Sequence, residues 1–247
     1  MQTSDAPERR FDRRRFVTAV GTASAGLWVP ALAAGRGGAT GGGQQRREKE
    51  AEEEEVSPAE DLMREHGVLK RVLLVYEETI RRIDASQEVP PGAIKDAASL
   101  VRAFIEDYHE KLEEDYLFPR FEKAGQLTDL TAVLRAQHQA GRHVTGRILQ
   151  LATTQTLKDP QSAGSLRGLL YQFCRMYAPH EAREDTVLFP AFRKLVSRQE
   201  YGALGEDFEK KEHELFGEGG FDKMVDRVAA IEKTLGIYDL SQFTPKG

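Results

Sequence analysis

The feature that most constrains this chain is a passage written twice. His109-Glu110-Lys111-Leu112-Glu113-Glu114-Asp115-Tyr116-Leu117-Phe118-Pro119-Arg120-Phe121 reads against His180-Glu181-Ala182-Arg183-Glu184-Asp185-Thr186-Val187-Leu188-Phe189-Pro190-Ala191-Phe192, at an offset of 71 residues. Histidine, a glutamate four residues on, Leu-Phe-Pro and a closing Phe all fall in register. A fainter echo pairs Leu62 with Leu134, His66 with His138 and Lys70 with Arg142, at an offset of 72. Such text predicts two helix hairpins related by a pseudo-twofold.

The segments around these passages have helical spacing. Ser57-Pro58 with Glu60 is an N-cap, a first-position proline and a capping box. Leu62, Leu69, Val72, Leu73, Tyr76 and Ile80 then recur at the period of one helix face. Val89-Pro90-Pro91-Gly92 breaks the run. A second helix is expected over about 93–123, closed by Gly125, and a third over about 127–155. Asp159-Pro160 is the next break, and a fourth helix is expected over about 162–196. Four long helices with short links predict an all-α, up-down-up-down four-helix bundle over 57–197. Residues 198–247 are expected to add a short helical C-terminal extension.

On a helix, residues four apart lie on one face, one turn from each other. His109 with Glu113, and His180 with Glu184, therefore each aim an imidazole and a carboxylate at one point. Leu117 and Leu188 continue the same inward stripe. His66 and His138 sit among apolar neighbours of the other two helices. Each hairpin thus offers two histidines and one carboxylate to the bundle interior. Two carboxylates buried without partners cost several kcal/mol each or take up protons. Two divalent cations reverse that balance. Mixed imidazole and carboxylate donors suit iron, manganese or zinc. Six protein ligands shared by two ions leave positions for a small molecule.

The order His, His-x-x-x-Glu, His, His-x-x-x-Glu with Leu-Phe-Pro resembles the hemerythrin-like (HHE cation-binding) family, from roughly Pro58 to Val196. The resemblance implies a non-haem di-iron centre, oxo- or hydroxo-bridged, with manganese or zinc as alternatives. It implies His66, His109, Glu113, His138, His180 and Glu184 as metal ligands. Family members bind dioxygen, sense iron or oxygen, or handle nitric oxide and peroxide. Oxygen carriers have a fifth histidine four residues after the third-helix histidine, and here that position is Arg142. They also use an Asp five residues after the last histidine. Asp185 has that spacing, but the repeat pairs Glu184 with Glu113, so Glu184 is preferred with Asp185 as the substitute. The tail around Leu215-Phe216-Gly217 and Gly236-Ile237-Tyr238 is similar to extensions of bacterial members.

The remaining polar and aromatic residues have plainer readings. His143 and His213 are expected outside the centre. Glu110 and Glu181 are expected to face away, the alternative being that each orients an imidazole. Phe118, Phe121, Phe189 and Phe192, with most of Tyr76, Tyr108, Tyr116 and Tyr177, are core residues. The single cysteine, Cys174, cannot form an internal disulfide and reads as a small buried hydrophobe. Ferritin-type bundles use Glu-x-x-His at three-residue spacing. Here the order is reversed and the spacing is four, which argues against a ferroxidase.

The N-terminus is built differently. Arg13-Arg14-Arg15-Phe16-Val17 leads into an uncharged stretch over 17–34 that ends in Pro30-Ala31-Leu32-Ala33-Ala34. A basic region, an apolar region and small residues of the A-x-A kind make a signal peptide over 1–34. The paired arginines resemble the twin-arginine type, with Asp12 where Ser or Thr is usual. That implies export, to the periplasm or beyond. No stable membrane span is expected after cleavage near Ala33 or Ala34. The Gly-rich and then charged text over 35–56 reads as a disordered linker. A net charge of −5 with interspersed signs, and no basic stripe, argues against nucleic-acid binding.

Three functional classes follow. The first is an exported di-iron protein that binds or senses dioxygen, nitric oxide or iron. The second is a redox enzyme that removes peroxide or nitric oxide. The third is a bundle with structural metals. Binding is preferred because no general acid or partner redox motif is legible.

Overall fold

The computed structural model describes residues 56–245. The signal-type segment over 1–34, and the linker up to residue 55, lie outside the described residues.

The first bundle helix, α1, is Pro58–Asp84. It starts where the text predicts: the Ser57 hydroxyl accepts from the Glu60 amide at 3.3 Å, and Pro58 sits at the first position. The second, α2, covers residues 91–124. It runs as Pro91–Leu100, Val101–His109, Glu110–Leu112, Glu113–Leu117 and Phe118–Ala124, and its winding changes along the way. The third, α3, is Thr128–Leu151, followed by a short α4, Thr154–Lys158. The fourth bundle helix, α5, covers residues 160–195 as Pro160–Arg183, Glu184–Leu188 and Phe189–Leu195. Among the described residues there is no strand. α1 and α3 each pack most extensively on α5, and α2 packs on both. The architecture is the expected all-α, up-down-up-down bundle.

The third helix stops short of the expected 155. Ala152 leaves helical geometry, and the Thr153 hydroxyl caps α4 by accepting from the Thr156 amide at 3.1 Å. Gly125, in the left-handed region at φ 63°, ends α2 and turns the chain between the hairpins.

A local feature escaped the sequence reading. Glu113–Leu117 and Glu184–Leu188 are wound as π-turns: the Phe118 amide donates to Glu113 O, and the Phe189 amide to Glu184 O, five residues back. The cause is the proline of each Leu-Phe-Pro. Pro119 and Pro190 have no N–H, and each ring would collide with the carbonyl four residues earlier. A wider turn just before the proline relieves both problems. Wide turns of this kind gather at functional sites, and both of these begin on a glutamate of the repeat; a third and longer π segment, Val101–His109, ends on a centre histidine and has no proline behind it.

Leu62, Val72, Tyr76, Phe104, Leu117, Phe118, Phe121, Phe173, Leu188, Phe189 and Phe192 are almost wholly excluded from solvent. Each side chain of this size contributes roughly 1.5–3 kcal/mol on burial. Cys174 is buried too, and burial pushes its thiol up to about 12. It is therefore an unreactive filler. Beyond the bundle, α6 (Arg198–Phe216) and α7 (Gly220–Thr234) fold back. α6 packs on α1, and α7 on both α1 and α2. The Arg71 guanidinium donates to both Glu232 oxygens, at 2.9 and 2.5 Å. Within the described residues, no helix is long and apolar enough to cross a membrane.

Candidate metal centre

The structure brings the six predicted residues together in the bundle interior. His66 comes from α1, His109 and Glu113 from α2, His138 from α3, and His180 and Glu184 from α5. All six are buried. They fall into two groups, His66–His109–Glu113 and His138–His180–Glu184, and in each group the donor atoms lie within 4.8 Å of one another. Each group is supplied by one hairpin.

The carboxylates tie the groups together. Glu184 Oε2 lies 3.4 Å from His66 Nε2, and Glu184 Oε1 lies 3.2 Å from His180 Nε2 and 3.9 Å from His138 Nε2. Glu113 Oε2 lies 3.4 Å from His138 Nε2 and 3.9 Å from His109 Nε2. Every imidazole therefore turns Nε2 inward.

What turns them is a second ring of polar side chains, each bonded to Nδ1. Glu65 holds His109 at 2.7 Å, and Gln137 holds His180 at 2.8 Å. Asp185 holds His66 at 2.7 Å, and Glu114 holds His138 at 3.2 Å. The pattern obeys the repeat: Glu65 corresponds to Gln137, and Glu114 to Asp185. A partner on one ring nitrogen fixes the tautomer and aims the other nitrogen. The Phe of each Leu-Phe-Pro completes the cradle. Phe189 stacks on His66, and Phe118 on His138, both at 5.5 Å between centroids.

Asp185 thus lies outside the inner set, occupied with His66 Nδ1. His143 and His213 are exposed. Glu110 and Glu181 do not face away as expected. Both are buried, yet neither holds an imidazole. Glu110 accepts from the Tyr177 hydroxyl at 2.6 Å and pairs with Arg142 at 2.8 Å. Glu181 pairs with Lys70 at 3.1 Å. Arg142 and Lys70 are themselves repeat equivalents. Tyr177 reaches Glu110 only because residue 141 is Gly, since a Cβ there would collide with the phenol.

The electrostatics follow from burial. Burial opposes charge on His66, but the hydrogen bond to Asp185 and the nearby charge of Glu184 outweigh it and raise the imidazolium to about 9. Burial, reinforced by His66, drives His109 well below its ordinary value. Burial and the nearby Glu184 push Glu113 well above the usual carboxylate range. Burial pulls Glu184 the same way, but His180 and His66 more than offset it, and Glu184 stays ionised. The donor set fits a pair of cations. Both oxygens of Glu113 and of Glu184, and Nε2 of His109, are buried with no hydrogen-bond partner. Buried polar atoms are rarely left unpaired, and here the unpaired ones converge.

Comparison with known proteins gives an independent reading. Residues 57–191 match the hemerythrin HHE cation binding domain. The chain is 54% identical over 190 residues to the uncharacterized protein Rv1995 of Mycobacterium tuberculosis and to the uncharacterized protein Mb2018 of Mycobacterium bovis. Each match covers 77% of this chain and 74% of the relative. No solved structure matches.

Proposed function

The chain belongs to the hemerythrin HHE cation-binding family, and from that premise we propose that it is an exported non-haem di-iron protein that binds or senses a small molecule such as dioxygen, nitric oxide or iron. A metal-binding role is common ground for the family. The ligand set is our reading: His66, His109 and Glu113 would hold one ion, and His138, His180 and Glu184 the other. The observation that carries it is the convergence of five unpartnered donor atoms among four inward-turned imidazoles.

When bound, such a pair supplies a redox-active Lewis-acidic centre with positions left for a small ligand. The protein's part is orientation and exclusion of water. Glu65, Gln137, Asp185 and Glu114 keep the imidazoles facing inward. Phe118 and Phe189 wall the centre with apolar surface. The polar side chains that touch the imidazoles are taken up in holding them, which favours binding over proton-transfer catalysis. A redox enzyme that removes peroxide or nitric oxide is the second reading, since an open cation pair suits either.

Metal analysis with absorption spectroscopy of the purified protein tests the proposal. About two irons per chain, with a spectrum that changes when the reduced form meets oxygen or nitric oxide, is the expected result. Steady turnover of peroxide or nitric oxide selects the enzyme. Fewer than one metal per chain in a fully loaded preparation overturns the di-iron assignment. Export is a separate part of the proposal and rests on Arg13-Arg14 and the small residues up to Ala34. Replacing both arginines by lysine should trap the precursor in the cytoplasm, and undiminished export sinks the twin-arginine route.

A further inference from the structure

We infer that Arg142 is a built-in cation, seated where a third metal ion would otherwise bind between Glu110, Glu114 and His138, and that it holds the chain to two ions. The inference rests on the two-ion reading above.

Glu110 and Glu114 are four residues apart on α2, so their carboxylates share a face. With His138 of α3 they form a third buried group whose donor atoms lie within 4.8 Å of one another. Buried carboxylates paired with an imidazole attract divalent cations. Here the charge is already met by two cations: Lys111 donates to Glu114 Oε2 at 2.5 Å, and Arg142 spans both carboxylates. Arg142 Nη2 lies 2.8 Å from Glu110 Oε2, and Nη1 lies 2.9 Å from Glu114 Oε1. The guanidinium forks to two carboxylates at once and stays charged at any pH the protein meets. Its backbone carbonyl accepts from Arg102 at 2.8 Å. The second Glu110 oxygen is taken by the Tyr177 hydroxyl at 2.6 Å, an approach that Gly141 permits.

The other half of the repeat is the control that the molecule supplies. Lys70, the equivalent of Arg142, is about half exposed at 51% and pairs with Glu181 alone. Asp185, the equivalent of Glu114, is 25% exposed. Among the described residues, Glu181, Asp185 and His66 do not converge into a metal-sized group. The forked arginine therefore occurs in the half where a third cation would fit. The position also matters to the pair. Glu114 holds His138 by Nδ1, and an ion seated on Glu110 and Glu114 would compete for that ring and turn it off the centre.

Zinc is the probe, because its binding is counted without redox change. The full chain, stripped and reloaded with excess zinc, should hold about two ions. Arg142→Gln should hold about three. Arg142→Gln combined with Glu110→Gln should return to two. Arg142→Lys keeps one charge but cannot fork to both carboxylates, and should admit the third ion only at higher zinc. It decides the matter if the glutamine variant does not fold. A count of two in the unaltered chain and still two in both single variants overturns the inference. A count below two in the unaltered chain strikes the two-ion reading instead.

Discussion

Asp185 Oδ1 sits 2.7 Å from His66 Nδ1, on the far side of the imidazole from Glu184. Two adjacent carboxylates of α5 thus grip one ring from opposite nitrogens, and only one of them faces the centre. Substitution should separate their roles. Glu184→Gln should lose bound metal, as should Glu113→Gln. Asp185→Asn should keep the metal count and weaken affinity about 10- to 100-fold, the usual cost of losing an orienting partner. Competition against a chelator of known affinity measures both. Equal loss of metal in the Asp185 and Glu184 variants would sink the assignment.

Metal removal should destabilise the fold. Each cation that binds only the folded state adds about 4 kcal/mol when present at a thousand times its dissociation constant. For a chain of this length each kcal/mol moves the melting temperature by about 2–4 °C. Stripping both ions should therefore lower it by roughly 20 °C, read by calorimetry with and without chelator. No shift would show that the cations add nothing to the fold.

The pH dependence has a definite sign. His66 is raised from 6.5 to about 9 in the folded chain. A cation must displace that proton, and the one that burial favours on Glu113, so affinity should rise at least about tenfold per pH unit below 9 and less steeply above it. In the metal-free chain the same shift stabilises the fold fully below about 6.5, and that stability is lost as pH rises through 9. Chelator competition and denaturant midpoints from pH 6 to 10 check both trends. Replacing Asp185 by Asn should shrink the two together.

Two glycines on bundle helices should respond in opposite directions. At Gly141 a methyl group meets the Tyr177 ring. Gly141→Ala should cost about 1–3 kcal/mol, the usual cost of overpacking. At Gly67 nothing lies within 4 Å of an added Cβ. Gly67→Ala should gain about 0.5–1 kcal/mol from helix propensity. Thermal or urea melts compare them, and a neutral Gly141→Ala would show that Tyr177 can move aside.

The bundle and the inner six residues were legible because both depend on periodicity. The doubled His-x-x-x-Glu text marks one helix face, and the repeat removes the ambiguity of a lone histidine. The outer ring was not legible, although it lies beside the inner one in the text. Glu65 and Gln137 each precede a centre histidine, and Glu114 and Asp185 each follow a centre glutamate. A residue one step along a helix points about 100° away, so it serves a histidine on a neighbouring helix. That assignment needs the packing, which spacing does not specify. A polar residue beside each centre residue, present in both repeats, was the available signal. The π-turns were hidden for another reason. Leu-Phe-Pro reads as the continuing inward stripe of helices that run on to about 123 and 196, and spacing alone does not say how the chain accommodates a proline there, which it does by widening the turn before it.

Each hairpin carries a complete triad of donors, and the link between the hairpins is only the turn at 125–127. Two copies of a chain of half this length, meeting about a twofold axis, would present the same six groups to one another. The single chain then stands to that homodimer as a duplicated and fused form. Fusion frees the halves to diverge, and the forked Arg142 against the solvent-facing Lys70 is a difference that no symmetric dimer can hold.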